Sequence, residues 1–378
     1  MIRTVEMLLL FLVPAIVGAA ESAPLDPAQA QPDQDGSTLW YDACGLTIEG
    51  QGWSETKSAY DRLPGKAEGM VRPAVWNLSR HSAGIAVRFT TDAPAIHARW
   101  TLTSANLAMP HMPATGVSGL DLYVRDRERH WRWLANGKPA GKTNTATLVR
   151  GLPQRPRDYL LYLPLYNGVT SVEIGIAKKY ALAATGSRPP GFEQPLVFYG
   201  TSITQGGCAS RPGMVHTAIL GRRFERPVIN LGFSGNGRME TEVVELIAEI
   251  DAAVYVLDCL PNINAKEIAA RTRPCIEILR KSHPETPILL VEDRTYSDAF
   301  LVPSKRERNL SSRAAYHKIF SELRAAGDRQ LYYLKGDHLL GEDNEGTVDS
   351  SHPTDLGFLR QANAFAEALG PILFSDRR

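Results

Sequence analysis

The feature that most constrains this chain is a change of hydrophobic pattern near residues 185–195. Before it, apolar residues alternate with polar or small ones. Ile85, Val87 and Phe89 alternate with Ala86 and Arg88, and Ile96, Ala98 and Trp100 with His97 and Arg99. A period of two marks strands with one buried face. Further short strands are expected at 122–124, 131–133, 159–163 and 172–176. Asn136-Gly137 is expected to form a hairpin turn, because both residues tolerate positive φ. With no long amphipathic helix in this half, a β-sandwich is predicted. After the change, apolar runs at 196–199, 228–231, 253–258, 288–292 and 331–334 alternate with helical stretches at 214–223, 240–250, 267–281, 311–326 and 358–369. In the last helix Phe358, Ala362, Phe365 and Leu369 share one face. Continuous apolar strands alternating with helices dictate a parallel sheet covered on both sides. The fold class is therefore α/β, with a β-sandwich in front.

A chain of 378 residues is long enough for two such domains. The expected division is 37–184 for the sandwich and 196–378 for the parallel-sheet domain. Between them, 185–195 reads as a linker, with Gly186, Pro189, Pro190, Gly191 and Pro195. Residues 1–20 read as a secretory signal. Arg3 supplies a positive charge, 7–17 is an apolar run too short to span a bilayer, and Gly18-Ala19-Ala20 supplies small residues for cleavage near Ala20. Residues 21–36, rich in Ala, Pro, Gln and Asp, read as a flexible leader. The expected mature protein is secreted or periplasmic and has no membrane span. A net charge of +1 without a basic run gives no footprint for a nucleic-acid partner. The four cysteines match no zinc or redox spacing, and the sequence leaves open whether Cys208 and Cys259 pair.

In parallel sheets of this kind ligands bind beyond the carboxyl ends of the strands. Four loops there carry chemistry. The first is Gly200-Thr201-Ser202-Ile203-Thr204, a serine between strand and helix. It can be a nucleophile if a base adjoins it, or simply a helix cap. It is not the Gly-x-Ser-x-Gly elbow, because position 204 is Thr. The second, residues 230–237, holds Gly232, Gly235 and Gly237, whose backbone could approach a ligand and donate an N–H. The third ends in Pro261-Asn262, where the Asn is a further donor, a turn residue or a cap. The fourth, Asp349-Ser350-Ser351-His352-Pro353, can deliver an acid–base pair from one turn. Other polar groups have plainer readings. His216, His283 and His317 follow no expected strand and read as structural or surface residues. Asp337-His338 reads as a solvated loop, and Glu292-Asp293-Arg294 as pocket lining or a local salt bridge. Trp100, Trp131 and Trp133 could offer a sugar-stacking face or pack in the core.

This order of blocks resembles the SGNH hydrolases, also called GDSL-like esterases. Gly-Thr-Ser stands here in place of the commoner Gly-Asp-Ser, and Leu260-Pro261-Asn262-Ile263 in place of Gly-x-Asn-Asp. The run from Gly200 to Met214 looks like a bacterial branch with an extra N-terminal β-domain, whose end is similar to Tyr162-Leu163-Pro164-Leu165-Tyr166-Asn167-Gly168. The resemblance implies a three-layer, flavodoxin-like hydrolase domain after a jelly-roll-like sandwich. It implies Ser202, His352 and Asp349 as a catalytic triad. The implied oxyanion hole is the N–H of Ser202, the N–H of Gly235 (with Gly232 as the alternative) and the side chain of Asn262. No cofactor or metal is implied. The expected substrate is a short acyl ester, an acetyl group on a poly- or oligosaccharide. The alternatives are a lipase or thioesterase with the same residues, and a carbohydrate-binding protein without activity.

Overall fold

The computed structural model describes residues 24–374. The expected signal segment at 1–20 lies outside the described residues. The first half contributes β1 (Gln31–Pro32), β2 (Thr38–Asp42), β3 (Thr47–Glu49), helix α1 (Pro73–Ser79), β4 (Ala86–Thr91), β5 (Ile96–Leu102), helix α2 (Ala114–Val117), β6 (Leu120–Arg125), β7 (Trp131–Gly137), β8 (Thr143–Val149), β9 (Arg157–Tyr162), β10 (Val169–Ala177) and β11 (Leu182–Ala184). They form two antiparallel sheets in the orders β1-β2-β10-β5-β8 and β11-β4-β9-β6-β7, with β3 also on β4. The alternating residues read from the sequence, among them Val87, Phe89, Ile96, Ala98 and Trp100, meet in the core between the sheets.

The second half contributes β12 (Leu196–Gly200), α3 (Ser202–Gln205), α4 (His216–Phe224), β13 (Val228–Gly232), α5 (Thr241–Ile247), β14 (Val254–Asp258), α6 (Ala265–Ser282), β15 (Ile288–Val291), α7 (Pro303–Ala325), β16 (Leu331–Leu334) and α8 (Asp355–Leu373). The strands pair in parallel in the order β13-β12-β14-β15-β16, the flavodoxin-like arrangement. Each central strand is buried on both faces, which is why it reads as a continuous apolar run. In β12, Leu196 and Phe198 pack with Leu220 of α4 and Phe365 and Leu369 of α8. Val197 and Tyr199 face the opposite core, with Val243 of α5, Ile276 of α6 and Tyr316 of α7.

Several expectations are corrected. Asn136-Gly137 is not a turn: both lie in β7, opposite Asp121 and Leu120. The Asn136 amide donates to the Leu120 carbonyl at 2.9 Å. A Cβ on Gly137 would crowd Leu120, Leu148 and Trp100 at 3.1–3.3 Å, so this glycine is a packing requirement. The turn between β6 and β7 is instead organised by Asp126, whose Oδ1 accepts from the N–H groups of Glu128 and His130. The described part of the leader is tied down. Leu25 donates to the Leu182 carbonyl at 2.8 Å, and β1 pairs with β2. The 185–195 segment is pinned by Arg188, whose guanidinium grips both oxygens of Glu49 at 2.7 and 2.8 Å. The four cysteines are free thiols, so Cys208 and Cys259 do not pair. Trp100 is buried with its indole N–H on the Ser118 carbonyl, away from any common face with Trp131 and Trp133.

One segment of the first half packs across the division. Leu63, Ala67, Val71, Val75 and Trp76, which precede β4, do not join the sandwich. They pack on Ile229, Leu231, Phe233, Val243 and Leu246 in the core of the parallel-sheet domain. Helix α1 therefore helps to cover the sheet that carries the site.

Candidate active site

Ser202 sits at the carboxyl end of β12 as the first residue of α3. The helix cap is not Ser202 but Thr201, whose hydroxyl accepts from the Ile203 N–H at 3.3 Å. That leaves the Ser202 hydroxyl for another partner, and its Oγ lies 2.8 Å from Nε2 of His352. The backbone of Ser202 is held equally firmly. Its carbonyl accepts from the N–H groups of Gly206 and Gly207, at 3.0 and 2.8 Å, and from the Tyr166 hydroxyl at 3.1 Å. Tyr166 belongs to the β-domain's end, so both domains fix the nucleophile candidate.

The loop before α8 supplies the other two groups. His352 Nδ1 lies 2.8 Å from Asp349 Oδ2, while Asp349 Oδ1 accepts from the N–H of His352 at 2.7 Å and of Ser351 at 3.1 Å. Partial burial pushes the Asp349 carboxyl up, but these donors and the imidazole outweigh it and the net direction is down. Asp349 is thus held ionised. To place its three groups the turn takes Ser350 into the left-handed region at φ 77. Neighbours brace it. Ser297 donates its N–H to the Ser350 carbonyl at 3.1 Å, Ser297 and Thr347 share a hydroxyl contact at 2.9 Å, and Ser350 Oγ binds Asp298.

The glycine loop after β13 separates the two oxyanion candidates. The N–H of Gly232 is engaged with Asn230 Oδ1 at 2.9 Å, and a Cβ there would strike the Gln205 backbone at 2.1 Å. Gly232 is needed for close approach. Gly235 has φ +68 and open space where a Cβ would stand. Asn262 lies over the same loop. In the orientation that satisfies both ends of the amide, its Oδ1 accepts from the N–H of Asn236 and Gly237 at 3.1 and 3.2 Å. The NH₂ end is then the donor. Asn262 is not the cap of α6, because Asn264 takes that role with Glu267 in a capping box.

Sequence reasoning missed the groups that tie these loops together. Gln205 accepts from the Ser234 N–H at 3.0 Å, and its own amide donates to the Leu165 carbonyl and to His81 Nδ1, both at 3.1 Å. Burial, with the Arg62 cation nearby, pushes His81 down to about 4, so it is neutral and can accept. Arg62 is 1% exposed and donates to the carbonyls of Asn230, Gly232, His81 and Leu78 at 2.6–3.0 Å. Two of these hydrogen bonds hold carbonyls of the loop whose glycines offer no side chains. Beneath α3, the buried Asp258 accepts from Thr204 Oγ1 at 3.0 Å and from both terminal nitrogens of Arg294. Nothing in the spacing announces these partners. Only a charged residue amid apolar sequence, such as Arg62 in Tyr60-Asp61-Arg62-Leu63, could have drawn attention to one of them.

The remaining polar candidates have structural roles. His216 is buried between Phe198, Phe358 and Phe365. Arg294 forms the buried pair just described. Asp337 pairs with Arg313 and His338 with Glu342, both on the surface.

A family model described as the GDSL-like lipase/acylhydrolase family matches residues 193–370, and one described as the N-terminus of an SGNH-hydrolase-type esterase matches 38–182. A solved structure described as a GDSL-like lipase from Bacteroides ovatus is 37% identical, with a TM-score of 0.84, over 89% of this chain and 98% of that one. The chain belongs to the GDSL-like lipase/acylhydrolase family. This SGNH-type hydrolase also shares its fold with a salicylyl-acyltransferase of a tetracycline biosynthetic pathway. That protein is 18% identical with a TM-score of 0.71, over 93% and 97% of the two chains. A family two carbohydrate esterase from Cellvibrio japonicus is 12% identical with a TM-score of 0.58, over 89% and 98%. Among curated proteins none matches. Among the described residues of this acylhydrolase, no helix is long and apolar enough to cross a membrane.

Proposed function

We propose that this hydrolase is an exported serine esterase that removes acetyl groups from carbohydrate through an acyl-enzyme on Ser202. The observation that carries the reading is the continuous line from Ser202 Oγ through the His352 imidazole to the Asp349 carboxylate, 2.8 Å at each step. Ser202 Oγ attacks the ester carbonyl as His352 Nε2 takes its proton. The oxyanion accepts from the N–H of Ser202, the N–H of Gly235 and the Asn262 amide. Imidazolium formed at His352 is stabilised by Asp349 and returns the proton to the leaving alcohol. Water, deprotonated by the same imidazole, then attacks the acyl-enzyme and releases acetate.

The carbohydrate part of the reading takes its direction from the fold relatives that are carbohydrate esterases, one of them from Clostridium thermocellum in complex with cellohexaose. One observation favours a second reading, hydrolysis of longer-chain esters. Phe300 and Leu301 are 70% and 74% exposed, on the segment that braces the Asp349–His352 turn. Two assays separate the readings. Acetate release across a panel of acetylated polysaccharides is expected, together with a preference for acetyl over octanoyl p-nitrophenyl esters. Activity that rises with chain length, and no acetate from any glycan, would overturn the carbohydrate reading. Export is tested by the N-terminal sequence of the cell-free protein, which should begin close after Ala20.

A further inference from the structure

We infer that His111, on a loop of the β-domain, lines the alcohol side of the Ser202–His352 site and selects which alcohol the ester carries. This rests on the acyl-transfer chemistry proposed above. The loop between β5 and α2 closes in a tight hairpin, in which Met109 and Met112 exchange backbone hydrogen bonds at 3.0 Å and Pro110 and His111 form the tip. The loop is fastened to the hydrolase domain. Met112 is 2% exposed and packs with Ile203, Ala209 and Phe358. Thr115 Oγ1 donates to the Ser210 carbonyl at 2.6 Å. The exposed tip therefore has a fixed position, and it sets the His111 ring against His352, with centroids 6.3 Å apart and planes inclined at 56°.

Chemistry then says which part of the substrate His111 meets. The carbonyl oxygen must turn toward the oxyanion donors, Gly235 and Asn262. The leaving oxygen must turn toward the group that protonates it, His352 Nε2. A side chain that lies against His352 and belongs to neither set of donors flanks the leaving alcohol. An imidazole there can donate to, or accept from, the hydroxyls of a polyol, which an aryl or alkyl alcohol does not offer. By this reading the β-domain walls one side of the cleft, and discriminates alcohols rather than acyl groups.

The test holds the acyl group at acetyl and varies the alcohol: p-nitrophenyl, glyceryl and glucosyl acetates, with His111→Ala and His111→Gln in the intact protein. One neutral hydrogen bond corresponds to about fivefold to tenfold in selectivity. His111→Ala should therefore lower kcat/KM for glyceryl and glucosyl acetate by about that factor relative to p-nitrophenyl acetate, and His111→Gln should restore part of it. The ratio of acetyl to butyryl p-nitrophenyl ester hydrolysis should stay unchanged, as should the melting temperature. An unchanged alcohol selectivity overturns the inference, and so does a changed acyl selectivity. If the wild type ignores glucosyl acetate, the carbohydrate reading fails by itself. The inference is then decided on the glyceryl-to-p-nitrophenyl ratio.

Discussion

Replacing Asp258 by Ala should do more damage than any surface charge change in this chain, because it strands a buried cation. Asp258 has 0% exposure and Arg294 2%. The carboxylate accepts from both terminal guanidinium nitrogens and from the Thr204 hydroxyl, and Arg294 Nε donates to Gln361 at 2.6 Å. Removing the carboxylate strands a buried cation, which costs about 3–5 kcal/mol, and loss of the Thr204 hydrogen bond adds about 1 kcal/mol. The expected loss is about 4–6 kcal/mol, comparable with the whole stability of many domains. Changing both partners, Asp258→Leu with Arg294→Met, removes the stranded charge and should recover at least ~2 kcal/mol of that loss. The assay is urea unfolding of wild type, the single variant and the double variant, followed by near-ultraviolet circular dichroism. An Asp258→Ala variant within about 1 kcal/mol of wild type would refute the reasoning. So would a double variant no more stable than the single one.

Three further outcomes are expected. Asn262→Ala should lower kcat for p-nitrophenyl acetate by about 10²–10³, the usual cost of one oxyanion donor, with the melting temperature little changed; steady-state kinetics and calorimetry check it. Arg62→Met should leave four backbone carbonyls short of donors, lowering both the melting temperature and kcat, since two of those carbonyls lie in the glycine loop; Arg62→Lys should not rescue it, because an ammonium cannot span the four. Burial pushes Asp293 up to about 6 against the opposing pull of Arg294, Arg308 and Arg313. The folded state therefore binds more protons than the unfolded one between about pH 4 and 6, and stability falls as pH rises through that window. Asp293→Asn should flatten this slope and stabilise the protein at pH 7 by up to ~3 kcal/mol, while changing little near pH 4; melting curves at both values measure it.

Much of this was legible in the sequence, for physical reasons that also explain the gaps. Strands buried on both faces must be apolar throughout, so β12–β16 were readable, and Ser202 and His352 stood out because they follow such strands or precede the last helix. Helix α7 begins at Pro303, eight residues before the expected start, because Ser304, Lys305, Arg306 and Glu307 give its first turns no apolar stripe. Asn136-Gly137 misled because local turn propensity lost to the packing of Trp100 against a bare glycine. The choice between Gly232 and Gly235 as candidate donors depends on which N–H is already engaged, and periodicity carries no such information. Arg62, His81, His111 and Tyr166 reach the site across the domain boundary. The pairings that bring them there are distant along the chain: 168 residues for Arg62 with Asn230, 124 for His81 with Gln205 and 241 for His111 with His352.

The central claim is that Ser202 is the nucleophile, and covalent capture tests it most directly. A fluorophosphonate should form one adduct, which peptide mass spectrometry maps to the segment holding Ser202. Ser202→Ala should fold with an unchanged circular dichroism spectrum, take up no label and hydrolyse no p-nitrophenyl acetate. An adduct on another residue, or ester hydrolysis retained by Ser202→Ala, would contradict the account.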